Sequence, residues 1–577
     1  MSFIQLLCRI AWISLLIYPL AATADVSILG LDEDEEAEAN VKLTLSLAKE
    51  PCDAPEWKIR HLFSEANKQI DEAMRAVGYY HSKAEKNLRF NTDCWQAEFK
   101  ITPGPPVIID SIDIAIEGEA KEDPEFLALR KTFDQQVKSV LNHGRYEAMK
   151  SKIESLAMER GYFENKFIEK KLLIDKEQNT AQIELSFDSG QRLFFGKVEI
   201  DQDILNPDFV EKFVPIQPGD YYSASVLSKT HDNLSRSGYF KSIDIEPKLE
   251  QVEDQQVPVH LKLYPKKVHH YSIGLGYDTD KGPLLGTSYE NRRLNREGHF
   301  MTFNLDFSPV LSVADAEYDV PLDNPLSDFF SFGGGLKREN TDTFDSLSAK
   351  LSARLKHTFD SGWKQTLFVD EVYEHFKNNA ESHDTLMLLP GGSWLRSVAD
   401  NPLRPTQGYR LLFNLAGTYE NPLSQISMAQ GSMAATWMHP SPWNGRFILR
   451  TELGATTVSD FNALPTTYRF YAGGMNSVRG YGYKELGPKD DDGNVIGGRF
   501  LSVVSVEYEQ SILENWGVAT FIDSGNAFNL DQISFKTGVG IGARWYSPIG
   551  LVRIDFAVPL DPANQSFRVH FAAGTRL

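Results

Sequence analysis

One loop carries the most pointed chemistry in the sequence. Residues 473–486 read GGMNSVRGYGYKEL, with Arg479 between Val478 and Gly480 and Tyr481 directly after. An arginine is a rigid, permanently charged fork of five N–H donors, suited to engaging carboxylates in pairs. Among four glycines, which let a chain turn tightly and approach another surface, it can swing free in solvent or be pinned against a wall of acids. No other residue set competes with it. The chain has no G-x-S-x-G, H-E-x-x-H or phosphate-loop pattern and no Cys/His cluster with zinc spacing. The D-S-G triplets that begin at Asp188 and Asp523 have no evident base. The run KDDDGN at 489–494 could chelate calcium, but Asp490 to Asp492 read more simply as an exposed acidic turn. His269 and His270 read as a pair at a strand edge. Neither an enzyme nor a metal or cofactor is expected.

The elements that must position Arg479 begin with an export signal. Residues 1–24 contain Arg9, an apolar run at 10–20 and Ala22-Thr23-Ala24, the layout of a secretory signal cleaved before Asp25. The alternative is an uncleaved anchor, for which the apolar run is short of the ~20 residues a span needs. Cys8 precedes most of that run, so only Cys52 and Cys94 stay in the exported chain. An even count in an exported protein suggests a disulfide. Closing a loop of about 41 residues would remove roughly 4 kcal/mol of unfolded-state entropy; two free buried thiols are the alternative. With 42% hydrophobic and 24% charged residues, the 577-residue chain is not disordered. A net charge of −20 argues against a nucleic-acid partner. No later run of ~20 apolar residues occurs, so a membrane-spanning mature chain would have to cross as a closed barrel.

The N-terminal half repeats itself. Gly78-Tyr79-Tyr80, Gly161-Tyr162-Phe163 and Gly238-Tyr239-Phe240 lie 83 and 77 residues apart. Each follows an amphipathic stretch; Ile59, Leu62, Phe63, Ala66, Ile70, Ala73 and Met74 form the clearest helical stripe. A glycine there suits a left-handed helix end, and the aromatics then open a strand. Alternating runs such as FIEKKLLI, AQIELSFDSG and VPVHLKLYP supply further strands. At the start, VSILGL and, past an acidic run at 32–38, VKLTLSLA read as the strand region of the first unit. Three units of about 80 residues imply tandem modules. They resemble POTRA domains, which implies periplasmic docking units whose sheet edges accept another strand; simple spacers are the alternative. The boundaries read as 25–103, 104–188 and 189–265, with a different domain over 266–577.

That last domain alternates with period two. Tyr271, Ile273, Leu275 and Tyr277 oppose Ser272, Gly274, Gly276 and Asp278, and MTFNLDF, VRIDFAV and the final FRVHFAAG behave likewise. A soluble sandwich would also alternate. The export signal, the full charges on the polar faces and the alternating strand at the C-terminus favour an outer-membrane barrel instead. Its length suits 14–18 strands, and the expectation is an all-β transmembrane barrel of 16 antiparallel strands behind α+β tandem modules.

POTRA-like modules followed by a barrel bearing Val478-Arg479-Gly480-Tyr481 resemble the BamA/TamA/two-partner-secretion superfamily. The segments DNPLRPTQGYR (400–410), RFYAGGMNSVRGY, SVEYE and FIDSGNAF match its ordered barrel motifs, with RFYAGG as a strand end, and the resemblance covers nearly the whole mature chain. It implies that the loop folds into the lumen and that Arg479 meets Glu507 and Asp523. It also implies a seam between the first strand, with Tyr271, Gly274, Gly276 and Tyr277, and the last, with Phe567, Val569, Phe571 and Gly574. Three modules and this length resemble the TamA branch most closely. For that branch the resemblance implies an outer-membrane site, periplasmic modules docking an inner-membrane-anchored partner of TamB type, and seam opening that inserts autotransporters and other barrel-protein clients beside outer-membrane lipid. A two-partner-secretion pore and a passive channel are the alternatives.

Overall fold

A computed structural model describes residues 25–91, 94–378, 381–402, 404–548, 550–561 and 567–574. The candidate signal at 1–24 lies outside the described residues. The first module runs β1 (Asp25–Leu29), α1 (Glu35–Thr44), α2 (Glu56–Ala76), β2 (Lys83–Phe90) and β3 (Trp95–Thr102), with sheet order β1-β3-β2. Its core forms because two periodicities meet. Ile59, Ala66, Ile70, Ala73 and Met74 line one side of α2, and Trp95, Ala97, Phe99 and Ile101 line one face of β3; all are buried. The isoleucines, Met74 and Phe99 each contribute roughly 1.5–3 kcal/mol on burial. Cys52 and Cys94 are joined in a disulfide.

The strand reading of VKLTLSLA is corrected. Val41, Lys42, Leu43 and Thr44 close α1, and Ser46–Lys49 form a short 3-10 turn. Asp34 caps the helix by accepting the Ala37 N–H at 3.0 Å, and Glu35, Glu36 and Glu38 fill its first turn, where the helix dipole favours acids. Ala37 and Val41 then point inward one turn apart, while Leu43 is 71% exposed. Capping and charge outweigh a short alternation.

The second module is β4 (Ile108–Glu117), α3 (Pro124–Asp134), α4 (His143–Glu159), β5 (Lys166–Asp175) and β6 (Thr180–Asp188), in order β4-β6-β5. The third is β7 (Phe194–Asp201), α5 (Pro207–Glu211), α6 (Ala224–Arg236), β8 (Phe240–Pro247) and β9 (Gln256–Pro265), in order β7-β9-β8. Gly78, Gly161 and Gly238 all have left-handed φ, between 81° and 96°. After the first two, the Tyr79 and Tyr162 N–H groups reach back to the Met74 and Ala157 carbonyls at 2.9 Å, which closes the helix ends. The same tyrosines also secure the other end of their module. The Tyr79 hydroxyl donates to Asp34 at 2.7 Å and that of Tyr162 to Asp123 at 3.0 Å. Asp34 and Asp123 are the caps of α1 and α3. Burial, reinforced by the neighbouring carboxylate, pushes both phenols up to about 12, so each remains a donor at any physiological pH.

The barrel closes from sixteen antiparallel strands. The first are β10 (His269–Asp278), β11 (Gly282–Asn291), β12 (Phe300–Phe307) and β13 (Leu311–Pro321). Next come β14 (Asp328–Asn340), β15 (Phe344–Thr358), β16 (Lys364–Asn378), β17 (Glu381–Ala399) and β18 (Gly408–Thr418). The rest are β19 (Met428–Ser441), β20 (Gly445–Val458), β21 (Phe500–Leu513), β22 (Trp516–Phe528), β23 (Lys536–Ser547), β24 (Gly550–Pro559) and β25 (Arg568–Gly574). Closure pairs the backbone groups that lipid cannot satisfy. The alternation sorts as expected for lipid outside and a polar lumen: Tyr271, Ile273 and Leu275 are 69–75% exposed on the outer face, while Asp555 and His570 are fully covered inside. His269 is an edge residue, its ring stacked on Tyr289. Reducing Cys52–Cys94 should lower the stability of the first module by about 2–4 kcal/mol. Hydrogen exchange in α2 and β3 should accelerate accordingly, with the barrel strands unchanged.

Candidate functional site

The connection between β20 and β21 spans 459–499 and holds Arg479. Its opening is not a strand end. Among the described residues, Phe470 and Ala472 make only isolated bridges, to Gly498 and Leu486. Arg469 is instead buried and donates to the Leu464, Asn462 and Ile496 carbonyls, which curls the segment inward. Ala472, Val478, Tyr481 and Leu486 then pack with Val503 of β21.

Arg479 has no exposed surface. Its Nε donates to Asp523 Oδ2 at 2.7 Å and its Nη2 to Asp523 Oδ1 at 2.9 Å. Its backbone N–H also reaches Asp523, at 3.1 Å. Nη1 donates to Glu507 at 2.6 Å and to Asp555 at 3.3 Å. The Phe521 ring lies 3.3 Å from the guanidinium carbon. Both sequence-derived partners, Glu507 on β21 and Asp523 on β22, are therefore at the arginine. Close approach needs Gly480, whose φ is +97° and where a Cβ would stand 3.1 Å from the Pro559 nitrogen.

Sequence reasoning missed the rest of the cluster. Arg544 on β23 donates to Glu507 at 2.8 Å and to Asp555 on β24 at 2.5 Å. Arg450 on β20 lies 3.9 Å from Glu507. Arg479, Arg544 and Arg450 thus face Glu507, Asp523 and Asp555. Asp555 stood on the polar face of VRIDFAV, and Arg544 follows Gly540 and Gly542 with the same parity; alternation marked them as lumen residues, but only the register of five strands unites them. The Ser505 hydroxyl joins the cluster, accepting from Arg479 at 3.4 Å and from Arg450 at 3.1 Å, so the charged groups fasten the loop to the wall.

The loop also touches both seam strands. The Met475 N–H donates to Asp280, just past β10, at 2.7 Å, and the Gly480 N–H to His570 Nε2 on β25 at 3.0 Å. Arg568 of β25 pairs with Glu485 at 3.3 Å. The first and last strands meet in an antiparallel register. Gly276, Tyr277 and Asp278 pair with Gly574, Ala573 and Ala572. Tyr271 and Gly274 pair with Tyr289 and Gly286 on the β11 side, and Val569 and Phe571 with Phe556 and Ile554 on the β24 side. Phe567 precedes β25.

Apart from residue 403, the DNPLRPTQGYR segment forms the β17–β18 turn. The Asp400 carboxylate accepts from the Thr406 hydroxyl at 2.5 Å and the Gln407 N–H at 3.1 Å; these bonds hold it down at about 2. At 490–494, Asp490 Oδ1 accepts the Asp492 and Asn494 N–H groups, a self-contained turn. Among the described residues no acidic, His or Cys cluster has metal-site geometry.

Arg479→Ala should cost about 3–5 kcal/mol of barrel stability, because it strands buried carboxylates. In a double-mutant cycle with Asp523→Asn, read by the denaturant dependence of heat-modifiable migration, the coupling should be about 2–3 kcal/mol. Additive effects would mean that the bonds are not formed.

Comparison with known proteins agrees with this architecture. Residues 272–577 match the Omp85 superfamily domain, 25–103 the first POTRA domain of TamA, and 194–266 a POTRA family described as a surface antigen variable number repeat. The outer membrane protein assembly factor BamA of Nitratidesulfovibrio vulgaris is 25% identical over 427 residues, covering 69% of this chain and 53% of that protein. BamA of Neisseria meningitidis is 21% identical over 584 residues, covering 89% of this chain and 72% of that protein. The chain thus spans about half the length of the first relative. The crystal structure of BamA from Haemophilus ducreyi lacking POTRA domains 1–3 superposes with a TM-score of 0.69 at 17% identity, covering 81% of this chain and 99% of that one. A match to the family over more than half of its length, on this fold, means that the chain belongs to the Omp85 superfamily, as an outer-membrane β-barrel with periplasmic POTRA modules.

Proposed function

We propose that the protein inserts or secretes β-barrel clients, autotransporters among them, by opening its seam and lending the exposed strand edge as a template. The observation that carries this reading is that the barrel closes between its first and last strands, where Gly276, Tyr277 and Asp278 face Gly574, Ala573 and Ala572, beside a loop that bonds to both sides of the closure. In lipid an unpaired backbone group costs several kcal/mol. An opened β10 edge would therefore bind an incoming client strand by main-chain hydrogen bonds, and no covalent chemistry is needed. The loop held by Arg479 bonds to both sides of this seam, so its position and the seam's are linked.

The reading extends to the TamA branch of the superfamily. The match of residues 25–103 to the first TamA POTRA domain supports it, as does the count of three modules. By that likeness the modules dock an inner-membrane-anchored partner of TamB type. A passive channel would need no such modules and no tied seam.

Cysteines at Tyr277 and Ala573, which are register partners on β10 and β25, test the gate. Oxidation should stop client assembly, measured as protease-resistant client at the cell surface, and reduction should restore it. Undiminished assembly with the seam locked would overturn the reading.

A further inference from the structure

The Gly-Tyr repeat marks more than helix ends, because the chain that follows each module hangs from it. The Val107 N–H donates to the Gly78 carbonyl at 2.9 Å, that of Leu193 to the Gly161 carbonyl at 3.0 Å, and that of Lys266 to the Tyr239 carbonyl at 2.8 Å. Val107, Leu193 and Lys266 lead into the second module, the third module and the barrel. In the first two modules the tyrosine hydroxyl turns back onto its own module's first-helix cap, Asp34 or Asp123. In the third it cannot. The cap of α5 is Asn206, which makes no side-chain capping bond, and the Tyr239 hydroxyl donates instead to the Gly298 carbonyl at 2.5 Å.

Gly298 belongs to the turn between β11 and β12, the first periplasmic turn of the barrel. The contact is closely fitted. Gly298 has φ +78°, and a Cβ there would fall 2.4 Å from Phe209 Cε1 and 2.7 Å from the Tyr239 oxygen. Phe209 and Phe213 pack edge-on to the Tyr239 ring, with centroids 5.9 and 6.2 Å away. Hydrogen bonds run both ways across the contact: the Asn206 N–H donates to the Arg296 carbonyl at 2.8 Å, and the Arg296 guanidinium to the Asp203 carbonyl at 2.7 Å. Residues 199–215 and 229–246 form one compact unit with the barrel residues.

We propose that Phe209, Phe213 and Tyr239 form a socket for the Gly298 turn, a fixed joint in which the barrel takes the place that the cap aspartate takes in the earlier modules. A buried hydroxyl bonded to a carbonyl, ringed by aromatics and flanked by one backbone bond and one guanidinium bond, resists both sliding and rotation. The turn it holds carries β11, which runs in register with β10 over ten pairs. The joint therefore seats on the hairpin that contains the first seam strand, and not on a remote part of the rim.

The test is a distance distribution in the full chain in nanodiscs. Spin labels go at Asp208 on α5 and at Asp360 in the β15–β16 turn, and pulsed electron resonance reads the width. One narrow distance is expected for the unsubstituted chain and for Tyr162→Phe, which alters an earlier joint only. Phe209→Ala and Gly298→Ala should at least double the width, and Tyr239→Phe should broaden it less. A broad distribution in the unsubstituted chain, or an unchanged width in Phe209→Ala, would overturn the joint. Should Gly298→Ala fail to fold, the Phe209 and Tyr239 variants decide alone, since both lie outside the barrel strands. No client enters the measurement, so its outcome is independent of the insertase reading.

Discussion

The barrel is organised around one buried cation. Arg479 lies inside the lumen with its fork occupied by Asp523 and Glu507 and its edge shared with Asp555. Removing a guanidinium from water costs several kcal/mol, which good geometry and satisfied partners must offset. The surrounding sequence supplies that geometry. Five strands present the acids together with Arg450 and Arg544, Phe521 stacks under the fork, and Gly480 brings the loop within contact of the wall. An apolar plug could fill the same volume. A buried charge network specifies one position for the loop, because any displacement leaves charges unpaired.

That single position matters because the loop reaches the seam. Arg479 grips β21, β22 and β24, while Met475 and Gly480 bond to Asp280 and His570 at the two sides of the seam. With the loop in place, opening of the seam must also move Arg479 or break these bonds.

Much of this was legible in the residues, at the scale where local chemistry decides. The Gly-Tyr repeat gave three modules because a left-handed glycine followed by a buried tyrosine is a local requirement. Two-residue alternation gave the barrel because lipid and lumen sort side chains one by one. Arg479, Glu507 and Asp523 were legible only through an ordered set of motifs. What escaped was register. Asp555, Arg544 and His570 each showed lumen parity, yet nothing local says which lumen residues share a height. VKLTLSLA misled because a cap at Asp34 and three acids upstream outweighed four alternating apolar residues.

On the proposed function, the grip on Arg479 holds the seam shut. Arg479→Lys keeps the charge and removes the fork, leaving the strands and glycines untouched. Amide hydrogen exchange of the folded variant, resolved by strand, tests the claim most directly. Exchange should rise at Tyr277 and Ala573 and stay unchanged along β15 and β16. Seam amides as protected as in the unsubstituted protein, or a uniform rise around the barrel, would contradict it.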